Sequence, residues 1–82
     1  MRNESGDRIR LTHIFDSIQE IENYINNIEE GEFLNNSMMR FACIKQLEII
    51  GEASNHISDK IKKGNTEINW PQIVGMRNLF VP

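Results

Sequence analysis

Leu11, Ile14, Ile18, Ile21, Ile25 and Ile28 recur at steps of three, four, three, four and three residues. An α-helix turns every 3.6 residues or so, and this spacing aligns them in one row. It predicts an amphipathic helix over residues 7–29. Phe15 widens the row into a stripe able to pack against more than one neighbour. Asp16, Glu20, Glu22 and Asn23 take the wet side. Asp7 is placed to cap the start, and Gly31 to end the helix in left-handed geometry. The acids around Gly31 oppose the helix dipole, which predicts a frayed last turn.

A second row follows. Cys43, Leu47, Ile50, Ser54, Ile57 and Ile61 step by four, three, four, three and four. They predict a helix from Asn36 or Ser37 to about Lys63, with Gly64 as its stop. Phe41, Ile44 and Ile49 fall outside that row, so the first half is apolar on nearly all sides. That pattern belongs to a central helix with several neighbours. Gly51 interrupts it at roughly 1 kcal/mol relative to alanine; a close helix crossing or a kink would each account for it. After the solvated stretch Lys62 to Thr66, Asn69-Trp70-Pro71 reads as the start of a third helix, since proline is tolerated in a first turn. No strand-like alternation of useful length is present. The expected fold is all-α: an antiparallel hairpin of residues 7–29 and 36–63, with a short third helix from about 70 packed on it.

Composition narrows this further. Eighty-two residues allow one domain, residues 1–82, and a small core. Cys43 is the only cysteine, so no disulfide supports the fold, and a reducing compartment is expected. The charged N-terminus lacks the apolar segment of a secretory signal, and no run approaches the roughly 20 apolar residues of a membrane span. A cytoplasmic protein is the expectation. Residues 1–59 carry five basic and eleven acidic side chains, whereas residues 60–82 carry four and one. A polyanion would therefore approach the C-terminal third.

Candidate chemistry is sparse. His13 and His56 lie 43 residues apart, and neither belongs to a metal-binding pattern, so no metal is expected. No phosphate-cradling glycine loop is present, and no cofactor is expected. Cys43 sits on an apolar row as a small core residue. Glu52, among Glu48, Asn55 and His56, is either on a solvent face or a carboxylate held near an arginine. Arg77 and Asn78 interrupt the apolar residues Met76, Leu79 and Phe80. A guanidinium in such a setting either pairs structurally or clamps a phosphate.

Three stretches together resemble a known family. Arg10-Leu11-Thr12-His13-Ile14 is similar to its opening helix, and Ile49-Ile50-Gly51-Glu52-Ala53, continued by Ile57-Ser58, to its middle helix. Ile68 to Asn78, with Asn69-Trp70-Pro71 where the usual form has Pro-Trp, resembles the segment leading into the active site. The family is the HepT-like branch of the HEPN superfamily.

The resemblance implies a small helical homodimer acting as a metal-independent RNA endonuclease, the toxin of a toxin–antitoxin pair. Its partner would be a minimal nucleotidyltransferase that adds AMP groups to a tyrosine just beyond the catalytic histidine. The family's catalytic signature is arginine, a polar residue, three further residues, then histidine. Arg77 and Asn78 match its first half, and the histidine position is occupied by Pro82. His13 and Glu52 are possible accessory residues. The tyrosine and a further helix would fall beyond residue 82, so the expected architecture is a HEPN-like four-helix bundle incomplete at its C-terminus. The alternative is a non-catalytic helical module for dimerisation, or for binding a nucleotidyltransferase or a nucleotide.

Overall fold

A computed structural model describes residues 4–80, and the side chains of residues 6–75. Its five helices are α1 (Glu4–Ile25), α2 (Glu30–Leu34), α3 (Ser37–Asn55), α4 (Asp59–Gly64) and α5 (Trp70–Phe80). The expected all-α fold is present. α3 is the central element, packed against both α1 and α5. Near the start of α1, Asp7 reaches Ser58, just past the end of α3. Near its other end, the Tyr24 hydroxyl accepts a hydrogen bond from Gln46 Nε2 at 3.2 Å. The two long helices are therefore antiparallel.

The boundaries of the first helix differ from those expected. It starts at Glu4 and ends at Ile25. Asn27, at φ 59°, takes the left-handed conformation expected of Gly31. Asparagine tolerates that region because its short amide can bond locally. Gly31 lies inside α2, a single acidic helical piece where a connector was expected. Glu30 and Glu32 sit in its first turn, where carboxylates favour the positive end of the dipole. Its C-terminal carbonyls, those of Phe33 and Leu34, accept from the Arg40 guanidinium. Asn36 caps α3, its side chain accepting from Met39 N at 2.9 Å.

The second expected helix is broken. α3 stops at Asn55, and α4 begins at Asp59 after an extended Ser58. The apolar row runs through this break without losing step: Ile57 has 0% exposure although it lies between the helices. Polar chemistry makes the break. Ser58 Oγ accepts from Ile61 N and caps α4. Asp7, itself buried, accepts from Ser58 N at 2.8 Å and from Ser58 Oγ at 2.5 Å. Asp7 thus serves the break between α3 and α4 and is not the cap of its own helix.

The buried face of α1 is also rotated from the expected one. Asp7, Arg10, Ile14, Ser17, Ile21 and Tyr24 form its buried or half-buried row, with Ile28 in register beyond the helix end. Leu11, Phe15, Ile18 and Ile25 point outward and are exposed. Among the described residues the buried apolar side chains are few: Cys43, Ile50, Ala53 and Ile57. Gly51 is buried beside them on α3.

Candidate functional site

The beginning of α5 is well anchored. Asn69 Oδ1 accepts from Gln72 N at 3.1 Å, capping the helix where the sequence predicts its start. Trp70 Nε1 donates to the Asn65 carbonyl at 3.2 Å, and Asn65 Nδ2 donates to the Ile61 carbonyl at 2.9 Å. This chain of bonds ties α5 to the end of α4. The helix then carries positions 77 and 78 in its C-terminal half. The side chains of Arg77 and Asn78 lie outside the described residues, as does Pro82. Beside the first turn of α5, a hollow of about 460 Å³ is bordered by Lys62, Lys63, Asp59 and Trp70. The two lysines occupy the last turn of α4, where cations meet the negative end of a helix dipole.

The two sequence-predicted accessory residues, His13 and Glu52, are brought together. Both line a groove of about 470 Å³ between α1 and α3. Its apolar surface comes from Ile9, Ile49 and Ala53. Arg10, Lys45, Glu48 and His56 join His13 and Glu52 around it. Glu52 Oε1 lies 3.1 Å from His56 Nε2, so the carboxylate orients that imidazole across one helical turn. Both side chains remain solvent-accessible, and a pair of this kind contributes little to stability.

Sequence separation hid this meeting. His13 and His56 stand far apart along the chain, yet antiparallel packing sets residues near the start of α1 beside those near the end of α3. The i, i+4 spacings of Ile9 with His13, of Glu48 with Glu52 and of Glu52 with His56 are the local signals for the two walls. Cys43 is elsewhere, in the core, where burial pushes its thiol pKa up from the usual range. Among the described residues, no helix is long and apolar enough to cross a membrane.

Comparison with known proteins gives this arrangement a family. The model of the family described as "Ribonuclease HepT-like" matches residues 14–81. A Methanocaldococcus jannaschii protein named "Putative RNase MJ1380" is 37% identical over 71 residues, 87% of this chain and 65% of that protein. A Thermococcus cleftensis protein named "Probable ribonuclease HepT" is also 37% identical over 71 residues, 87% of this chain and 64% of that protein. A second Methanocaldococcus jannaschii protein, "Gamma-glutamylcyclotransferase and putative RNase MJ0434", is 31% identical over 74 residues, 90% of this chain and 33% of its own length. The chain thus spans less than two thirds of each of these relatives. No solved structure matches. The family match, running from α1 through the central α3 into α5, establishes that the chain belongs to the HepT-like ribonuclease family.

Proposed function

We propose that the chain is a cytoplasmic member of a metal-independent RNA endonuclease family of the HepT-like type, the toxin of a toxin–antitoxin pair, with RNA as the family substrate and Arg77 and Asn78 as the retained part of the catalytic signature. The observation that carries this reading is the Arg77-Asn78 pair on a helix packed against the family's central helix, within the matched segment. In such chemistry a base deprotonates the ribose 2′-hydroxyl, which attacks the adjacent phosphorus. The departing 5′-oxygen takes a proton, leaving a cyclic phosphate. Arg77 would hold the phosphate through its planar donor fork, and Asn78 would orient it by hydrogen bonding. Histidine suits the proton transfers because it titrates near neutral pH.

Pro82 has no titratable group. With it at the histidine position, the chain by itself is nearly inactive on RNA. The same residue favours the second reading, a non-catalytic helical module that pairs with itself, with a nucleotidyltransferase or with a nucleotide. Self-pairing is supported by the outward apolar residues: Phe15 is 61% exposed, Phe41 69% and Met38 80%. A symmetric homodimer would cover such surface at least cost in new structure. A nucleotidyltransferase antitoxin would meet the basic C-terminal third, where Lys60, Lys62 and Lys63 precede Arg77. Tyr24, the only tyrosine, is half-buried and bonded to Gln46, which disfavours it as an AMP acceptor.

Cleavage of a labelled single-stranded RNA in EDTA, by the chain and by its Pro82→His variant, tests the catalytic assignment. The variant is expected to cleave at least about 100-fold faster, the lower range of general acid–base contributions. Equal rates, whether both measurable or both absent, contradict the role given to position 82.

A further inference from the structure

The α1–α3 groove combines features that separate ligands rarely demand together. Ile9, 56% exposed, presents apolar surface to it, continued by Ile49 and Ala53. Arg10 and Lys45 supply positive charge, and Glu48 supplies an acceptor carboxylate. Among the described residues these three charged side chains form no hydrogen bond or ion pair with one another, although they line one groove. The neighbouring Glu52 is engaged with His56.

The charge pattern discriminates between ligands. Arg10 and Lys45 are balanced by Glu48 and Glu52, so a bare anion gains little net attraction. An apolar peptide helix would bury these charges at a cost. A ligand with a flat apolar face, a donor edge and a phosphate satisfies all three groups. An unpaired nucleotide has that composition, and unpaired bases are recognised by stacking and by hydrogen bonds to their edges. Guanine is the base that offers a carboxylate two adjacent donors, its ring N1–H and its exocyclic amine. The groove volume, about 470 Å³, falls among those of small-molecule sites.

We infer that this groove is a subsite for one unpaired guanine nucleotide: Ile9, Ile49 and Ala53 meet the base face, Glu48 accepts from its donor edge, and Arg10 with Lys45 meets the phosphate. The inference rests on the proposed action on RNA and assigns that RNA a preferred residue at a position away from α5.

The test is amide chemical-shift mapping of the full 82-residue chain with GMP, AMP, CMP, UMP and inorganic phosphate. Two short single-stranded RNAs, one with a single guanine in a uridine tract and one all uridine, complete the set. GMP should shift the amides of Ile9, Lys45, Ile49 and Ala53, and bind roughly five-fold or more tightly than the other nucleotides, the lower range for a bidentate base contact. Glu48→Gln should erase that preference, whereas Arg10→Ala should weaken all nucleotides alike. Shifts with GMP and the guanine-containing RNA identify a strand subsite; shifts with GMP alone identify a free-nucleotide site. No groove shifts at millimolar ligand, equal affinity for all four nucleotides, or phosphate matching GMP would each overturn the inference. A positive Pro82→His cleavage result without groove shifts rejects the subsite alone. Groove shifts without cleavage reject the catalytic reading alone.

Discussion

Two adjacent rows of α1 differ in burial in a way that their apolar content does not predict. Its inner face carries Asp7, Arg10, Ser17 and Tyr24 among the isoleucines, and it packs on α3. Its outer face carries Leu11, Phe15, Ile18 and Ile25, and those side chains meet solvent. Apolar area alone would have centred the covered face nearer Leu11 and Ile18. The inner face is fixed by directional bonds: Asp7 to Ser58 at one end and Gln46 to Tyr24 at the other. A buried carboxylate whose hydrogen bonds cannot be replaced by water determines the rotation more strongly than a few leucine-sized side chains. The comparison teaches that hydrophobic periodicity locates a helix but does not settle which of two overlapping rows faces inward.

Removing the directional bonds should have the largest effect on the inner face. Asp7→Ala leaves Ser58 N and Oγ without their acceptor and frees the α3–α4 break. Folding stability should fall by about 3 kcal/mol, read as a lower urea midpoint at unchanged slope. A loss under about 0.5 kcal/mol would mean that packing, not this bond, sets the rotation. At the other end, Tyr24→Phe removes the hydroxyl that accepts from Gln46 while keeping the ring. The expected loss is about 1 kcal/mol by the same titration. A loss matching that of Asp7→Ala would show that the two ends contribute equally, against the burial of one partner and the half-burial of the other.

Much of this was legible in the sequence. The 3–4 rows predict both long helices, Asn36 and Asn69 act where caps are expected, and Cys43, Ile50 and Ser54 are buried in the predicted row. The break at residues 56–58 was hidden because Ile57 and Ile61 stay in step across it. Ser58-Asp59 is a helix-start signal inside an unbroken apolar rhythm, and tertiary contact with Asp7 gives it effect. The α1 rotation was hidden because Asp7 reads as the cap of its own helix, while its partner Ser58 lies 51 residues away. The meeting of His13 and Glu52 follows from the antiparallel hairpin that the two rows predict, but row spacing does not say which side chains share a groove.

Self-pairing, as proposed above, would bring the apolar row of α1, with Phe15 61% exposed, against a second copy of the chain. Sedimentation equilibrium of the 82-residue protein beside its Phe15→Glu variant tests it most directly. Phe15 makes no part of the inner face, so the variant should keep its folding stability within about 0.5 kcal/mol. If the chain self-pairs through this row, the unchanged chain is a dimer at low micromolar concentration and the variant a folded monomer. A folded monomer in both would contradict it.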